Sequence, residues 1–141
     1  CGHLMNSTTT PQFELTARVY YEDTDAGGIV YYANYLRYME RARSDWFRAC
    51  GVNHQQLRSE HGVMVVVTRA YTDYLAPARL EDDIVIDLTL TRARRVSLDL
   101  HQQVRHRDGR LLCRAEVRAA CVHVADQRPC RFPPSVLGAI S

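Results

Sequence analysis

Two aspartates and two glycines stand together near the start of the sequence, in the stretch Asp23-Thr24-Asp25-Ala26-Gly27-Gly28. The patterns around this stretch predict a strand before it and a long helix after it. The first N–H groups of a helix have no partner within the helix, so they can bind an anion or an acyl oxygen held beside them. An aspartate placed there can attack an acyl carbon or activate water against it, while the helix N–H groups hold the oxygen. The stretch therefore favours acyl chemistry that needs no metal.

Three other interpretations of this stretch compete with that chemistry. A calcium loop shares its first spacing, but Gly27 is at the fifth position and Asn34 replaces the bidentate glutamate at the twelfth. A phosphate-binding loop would need one of the known glycine-rich motifs, and neither is present. The third interpretation is a simple turn in which the aspartates only accept backbone hydrogen bonds. The residues alone leave this last alternative open.

The best helix in the sequence follows the aspartate stretch. Its apolar residues recur at steps of three and four, which is typical of one buried helical face. They are Tyr35, Met39, Ala42, Trp46 and Ala49. Asn34 is the predicted N-cap and Gly51 the predicted end, so we expect about 16 helical residues, long enough to cross a small sheet.

Strand patterns account for most of the remaining chain. Alternating or β-branched segments predict strands at residues 13–19, 63–74, 84–93, 96–106 and 111–124, and residues 135–140 predict a short final helical turn. Asp108-Gly109 is a strong hairpin signal. Strands joined by short links pair antiparallel, and one helix covers only one face of such a sheet. We therefore predict an α+β fold whose open face or edge is covered by a second copy.

Composition limits the possible classes of protein. The chain has 141 residues, of which 46% are hydrophobic and 24% are charged, so one globular domain is expected. Its net charge of +2 is too small to suggest general nucleic-acid binding. No membrane-spanning run or signal peptide is visible, which predicts a cytoplasmic protein. All 18 basic residues are arginine, which we interpret as a bias of genome composition.

The chain ends and cysteines complete this description. Residues 1–12 are interpreted as a tag remnant and a flexible N-terminus, and residues 13–141 as the single domain. The four cysteines outside the tag have no CxxC spacing, so we expect free thiols and no metal site. They are Cys50, Cys113, Cys121 and Cys130.

Beyond these patterns, the sequence resembles a known family. The run from Tyr21 to Tyr35, with Met39-Glu40-Arg41-Ala42-Arg43 after it, is similar to the hotdog-fold 4-hydroxybenzoyl-CoA thioesterase family. The closest similarity is to the bacterial branch associated with the Tol–Pal envelope system. Two further matches are the segment 74–83 and Ala115-Glu116-Val117. The resemblance covers most of the chain after Phe13.

This resemblance implies a five-stranded antiparallel sheet wrapped around the long helix, with active sites at a dimer interface and often a tetramer. It implies that Asp25 is the catalytic carboxylate and that the backbone N–H of Tyr32 polarises the thioester carbonyl. Tyr21 matches an aromatic residue near that carboxylate. That branch usually has histidine at the position of Tyr32, so an imidazole role does not transfer to this chain.

The resemblance also implies where coenzyme A would bind. Arg94, Arg95 and Ser97 match the segment that contacts the nucleotide, although a solvated hairpin turn is the alternative for exposed arginines. Arg128 and Arg131 are weaker candidates. Coenzyme A is part of the substrate, and no separate cofactor is expected.

The function expected from the sequence is hydrolysis of an acyl-CoA thioester, with Asp25 as nucleophile or general base. The alternative is a protein that binds acyl-CoA or acyl carrier protein in envelope or phospholipid assembly and hydrolyses little. A hotdog dehydratase is disfavoured because its catalytic histidine is absent from the aspartate stretch. The acyl group itself is not specified by the sequence.

Overall fold

The computed structural model describes residues 12–140, and its central feature is one antiparallel sheet of five strands. The strands lie in the order β1-β3-β4-β5-β2. Their bounds are β1 Phe13–Arg18, β2 Val63–Tyr74, β3 Asp83–Ala93, β4 Ser97–His106 and β5 Leu111–His123. All five predicted strands are confirmed within one or two residues at each end. The predicted tag remnant lies outside the described residues.

The helices differ more from the sequence prediction. The long helix α1 spans Tyr32–Ala49, so it begins three residues earlier than expected. Its N-cap is Tyr31, and the prediction of an Asn34 cap is wrong. The connection after α1, for which the sequence patterns predicted no helix or strand, contains the short helix α2, His54–Gln56, and a π-helical turn, Leu57–His61. The final helix α3 is Pro134–Ile140, as the sequence indicated.

The hydrophobic core lies between α1 and one face of the sheet. Alternation along the strands points every second residue to this face, and the apolar stripe of α1 packs against it. The largest fully buried side chains include Tyr35, Met39, Ile84, Ile86, Leu98, Leu100 and Leu112. The β4–β5 hairpin closes at Gly109, whose φ of 99° favours glycine, and its N–H donates to His106 O at 2.8 Å. The hairpin prediction is confirmed.

Arginine–carboxylate pairs cover the other face of the sheet. Arg105 contacts Glu14 at 2.6 Å and Asp87 at 3.3 Å, across three neighbouring strands. Further pairs on this face are Arg118–Asp99, Arg94–Asp99 and Arg114–Asp73. The face of the sheet opposite α1 is therefore polar, and no apolar layer is needed to shield it from water.

The two edges of the sheet are unequal. β1 has 6 residues, whereas β2 has 12 and forms the opposite edge. Val67 and Tyr71 of β2 are 46% and 66% exposed. A long edge strand with exposed apolar residues offers unpaired N–H and C=O groups to another chain.

The four described cysteines are free thiols, as predicted. Cys121 and Cys130 are neighbours, with Sγ atoms 3.5 Å apart. Burial raises the pKa of Cys121 to about 12, so this thiol is unreactive at neutral pH. Among residues 12–140, no helix is long and apolar enough to cross a membrane.

Leu100→Ala is expected to lower the free energy of unfolding by about 2–5 kcal/mol, because Leu100 is fully buried in the central strand β4 and its removal leaves a cavity. Urea unfolding at a fixed protein concentration measures this loss. Leu80→Ala is the control, since Leu80 is 36% exposed. Equal losses in the two variants would contradict the position of the core.

Candidate active site

The aspartate stretch forms a tight loop that exposes the Asp25 carboxylate. Asp25 N–H donates to Ile29 O at 2.9 Å, and Gly28 N–H donates to Asp25 O at 3.0 Å, so the chain turns back directly after Asp25. Gly28 has a φ of 78°, a left-handed conformation that glycine adopts without the steric penalty of a Cβ atom. Asp25 Oδ1 accepts the N–H of Gly27 at 2.8 Å. This bond fixes one carboxylate oxygen and leaves the other available for chemistry.

The loop returns to the start of α1. Tyr31 N–H donates to Asp23 O at 3.3 Å, which joins the residue before the helix to the first aspartate of the stretch. Tyr32 and Ala33 are the first helical residues, and helix geometry gives their N–H groups no acceptor within α1. Tyr32 is 63% exposed. The Asp25 loop and the free N–H groups of the helix therefore meet at one accessible end of α1.

Two side chains of α1 bond to the backbone around the loop. Asn34 Nδ2 donates to Asp23 O at 2.7 Å. Tyr35 Oη accepts the N–H of Ala78 at 2.9 Å and donates to Ala76 O at 3.4 Å. The sequence patterns predicted Asn34 as the helix cap and Tyr35 on the buried face, and they predicted neither of these contacts. Only the fold brings residues 76–78 next to the helix.

Residues 78–80 pair with the far side of the same loop. Val30 N–H donates to Ala78 O at 2.8 Å, and Leu80 N–H donates to Gly28 O at 3.1 Å. This pairing forms a short antiparallel ladder immediately before β3. The Asp25 loop is therefore held between the start of α1 and the segment that leads into β3.

Tyr21 lies in the short 3₁₀ turn Tyr21–Asp23, and its side chain is 81% exposed. Its carbonyl accepts the Thr24 hydroxyl at 2.8 Å, so its backbone helps to shape the turn before Asp25. Within residues 12–140 its phenol makes no hydrogen bond. A role for the Tyr21 side chain in catalysis stays a prediction.

The predicted nucleotide-contacting residues share the turn between β3 and β4. Arg94 N–H donates to Ser97 O at 2.8 Å, which closes the turn. The Arg94 side chain binds Asp99 at 2.7 Å, and Arg118 with Arg94 lowers the pKa of that carboxyl. Ser97 is buried, whereas Arg95 is exposed and within the described residues has no ion pair. Of the three, Arg95 is the side chain most available to a phosphate.

This turn and Asp25 lie at opposite ends of the sheet in one chain. The Asp25 loop adjoins the start of β3, and the turn follows its last residue. With 11 residues, β3 is about 33 Å long at the usual rise of a strand. In one chain the structure therefore places the loop that carries Asp25 next to the start of α1, and it places Arg94, Arg95 and Ser97 at the other end of β3.

An open groove of about 520 Å³ runs between α1 and the edge strand β2. Its lining includes Phe47 and Arg43 of α1 and Val65 near the start of β2, so the groove lies away from the Asp25 end of the helix. At the Asp25 end, outside the groove, the rings of Tyr32 and Tyr74 lie 4.8 Å apart. Arg43 Nη1 donates to the buried Gln102 Oε1 at 2.9 Å, and burial lowers the pKa of Arg43. The groove is mostly apolar, with Arg43, Arg58 and Glu40 also in its lining.

No group of three metal-ligating side chains occurs in the described part of the chain.

A five-stranded antiparallel sheet curled around one long helix, with an aspartate loop at the start of that helix, defines a thioesterase of the hotdog type. The chain belongs to the thioesterase-like superfamily, whose family model matches residues 19–140. The resemblance found in the sequence and the predicted α+β hotdog fold are thereby confirmed.

Individual relatives match nearly the whole chain. It is 40% identical to the acyl-CoA thioester hydrolase YbgC of Escherichia coli O6:H1 over 133 residues, covering 94% of this chain and 96% of the relative. It is 36% identical to the acyl-CoA thioesterase YbgC of Haemophilus influenzae, covering 90% and 93%. The crystal structure of a 1,4-dihydroxy-2-naphthoyl-CoA thioesterase from Synechocystis superposes with a TM-score of 0.84 at 25% identity, covering 91% and 94%.

Proposed function

We propose that the protein hydrolyses the thioester of an acyl-CoA to the free acid and coenzyme A, with Asp25 as the carboxylate and the Tyr32 N–H as oxyanion donor. The observation that carries this proposal is the position of the loop that carries Asp25, which the bond from Tyr31 N–H to Asp23 O joins to the start of α1. The names of the two YbgC relatives support acyl-CoA as the substrate class. Thiol release from short, long and aromatic acyl-CoAs tests it. If none is hydrolysed, binding without hydrolysis becomes the function.

The carboxylate can act in two ways. As a nucleophile, an Asp25 oxygen bonds to the acyl carbon and coenzyme A leaves as a thiolate that takes a proton, after which water cleaves the mixed anhydride. As a general base, the carboxylate takes a proton from water while the water oxygen attacks the same carbon. Both routes place negative charge on the acyl oxygen. The Tyr32 N–H would stabilise that charge, an effect of about 3 kcal/mol for one donor in comparable sites.

A second copy of the chain would complete the site. The β2 edge is long, open and partly apolar, which suits antiparallel pairing with the same strand of another subunit about a two-fold axis. Tyr74 is the last residue of β2 and lies near Tyr32, at the end of the sheet closest to the Asp25 loop. At the other end Val65 pairs with Cys121, whose N–H donates to Val96 O in the β3–β4 turn. In such a pair the β2 strands of the two subunits run in opposite directions, so the Asp25 end of one strand lies beside the opposite end of its partner.

Reversal of the strands places the β3–β4 turn of one subunit at the Asp25 end of its partner. Coenzyme A bound with its thioester at Asp25 would therefore meet Arg94, Arg95 and Ser97 of the other subunit. This arrangement would bring together groups that within one chain lie at opposite ends of β3, a strand about 33 Å long. The acyl group would occupy the groove between α1 and β2 of that other subunit, because this groove lies at the Val65 end of β2. Association of such dimers into a tetramer is part of the same proposal.

Arg95→Gln is expected to raise KM for acyl-CoA about tenfold with little change in kcat, because one charge-assisted bond to a phosphate is lost. Steady-state kinetics with acyl-CoA and with the same acyl group on 3′-dephospho-CoA measure the effect. If Arg95 binds the 3′-phosphate, the variant and the wild type have similar KM values for the dephospho substrate. Arg110→Gln, in the β4–β5 turn, is the control. An unchanged KM for both substrates would remove Arg95 from the coenzyme site.

A further inference from the structure

We propose that Tyr35 and Asn34 are positioning residues, which together hold the Asp25 carboxylate at a fixed distance from the oxyanion-binding N–H of Tyr32. This inference rests on the proposed function. Neither side chain is proposed to contact the substrate. Each acts through hydrogen bonds to the backbone on either side of the Asp25 loop.

Tyr35 holds the loop from the β3 side. Its ring is 1% exposed, and burial raises the pKa of its phenol, so the hydroxyl stays protonated. The oxygen accepts the Ala78 N–H at 2.9 Å and donates to Ala76 O at 3.4 Å. Ala78 O in turn accepts the N–H of Val30, the last loop residue before Tyr31. The Tyr35 hydroxyl is thus connected, through Ala78, to the loop that carries Asp25.

Asn34 holds the loop from the helix side. It is 9% exposed, and its Nδ2 donates to Asp23 O at 2.7 Å, the same carbonyl that accepts the Tyr31 N–H. Arg37 Nη1 donates to Asn34 Oδ1 at 3.2 Å, which orients the amide so that its NH₂ faces Asp23. Because Asn34 lies two residues after Tyr32 on a rigid helix, this bond fixes the loop relative to the oxyanion donor.

The two contacts have a common consequence. Asp25 is exposed, and its only hydrogen bond within the described residues that involves the carboxylate is the local one to Gly27. The position of the carboxylate is therefore determined by the loop backbone. Two α1 side chains hold that backbone: Asn34 bonds to Asp23, and Tyr35 bonds to Ala78. Displacement of a catalytic group by about 1 Å can lower a rate by about a hundredfold. Loss of either contact is expected to lower kcat, because the loop can then drift from the helix start.

The test compares Tyr35→Phe and Asn34→Asp with wild type in acyl-CoA hydrolysis. Tyr35→Phe keeps the ring and removes only the hydroxyl. Asn34→Asp keeps the shape and the acceptor for Arg37, but it replaces the donor facing Asp23 O. We expect kcat to fall about tenfold to a hundredfold in each, with KM changed less than about threefold. In an Asp25→Asn background, each substitution should lower the remaining rate much less, because the group it positions is gone.

Asn53→Asp is the matched control for Asn34→Asp. Asn53 caps α2 through an oxygen that aspartate also provides. This variant should retain wild-type kcat. A fall in kcat of equal size with and without the Asp25 carboxylate, or unchanged kcat in both Tyr35→Phe and Asn34→Asp, would overturn the inference.

Hydrogen exchange separates this inference from the proposed function. In both variants the amides of residues 25–30 should exchange faster than in wild type, while those of β4 keep their protection. If wild type hydrolyses no thioester, the proposed function fails, but faster exchange in this loop still supports the two positioning contacts. Unchanged exchange in the loop would overturn them whatever the activity.

Discussion

Asp25→Asn is expected to lower kcat for acyl-CoA hydrolysis by at least about a hundredfold, because an amide can neither attack the acyl carbon nor accept a proton from water. The substitution is close to isosteric. The side-chain oxygen of asparagine can still accept the N–H of Gly27, so the loop keeps its shape. KM should change little, since Asp25 is not among the groups that bind coenzyme A. Thiol release under saturating substrate measures the effect.

Asp126→Asn is the matched control for that experiment. Asp126 follows β5, and its Oδ1 accepts the Arg128 N–H, a bond that asparagine also makes. Its kcat should equal that of wild type, and the unfolding curves of both variants should overlay that of wild type. If Asp25→Asn retains activity within a few fold of wild type, the catalytic carboxylate lies elsewhere.

A mixed dimer of Asp25→Asn and Arg95→Gln subunits should recover activity with the KM of wild type. In the proposed dimer, each site takes Asp25 from one subunit and Arg95 from the other. The mixed dimer therefore contains one fully wild-type site and one site with both defects. Its kcat per dimer should be about half that of wild type. Co-expression with two different tags and sequential purification yields this species.

The opposite arrangement gives a different result. If Asp25 and Arg95 served the same site from one chain, every site in the mixed dimer would carry one defect. Activity would then be the average of the two parent variants, with the raised KM of Arg95→Gln. A protein that stays monomeric at assay concentrations in light scattering would also contradict the two-subunit site.

Elements with strong local patterns were predictable from the sequence. β2 was predicted with its observed bounds because Val63–Tyr74 is β-branched and aromatic. The interior of α1 followed from its apolar spacing, and the β4–β5 turn from Asp108-Gly109. Each of these signals depends on residues within a few positions of one another, so no knowledge of the fold is needed to interpret them.

The start of α1 was not predictable in the same way. Asparagine is a preferred N-cap, but the Asn34 amide is used by Asp23 O, eleven residues away. The helix can therefore begin before it, at Tyr32. The helical turns at 54–61 were missed because that segment is polar and only Leu57 is buried there, which leaves no apolar period to detect.

For the candidate site, the sequence indicates residue types but not their geometry. The aspartate stretch and the helix start meet as expected. The distance of the Arg94–Ser97 turn from Asp25 depends on the length and direction of β3, which a motif match does not include. The pairing of Arg94 with Asp99 similarly depends on the bend of a hairpin. Long-range contacts of this kind become visible only once the strands are placed in order.

The guanidinium pairs on the outer face of the sheet have a chemical consequence for a protein that meets activated acyl groups. Thioesters acylate primary amines without a catalyst, and acylation of a lysine removes its charge. Arginine stays protonated and is a poor nucleophile. The chain contains no lysine, so Arg105, Arg114 and Arg118 keep their carboxylate partners in the presence of the substrate. The same face built from lysines would be gradually neutralised by the compounds that the enzyme consumes.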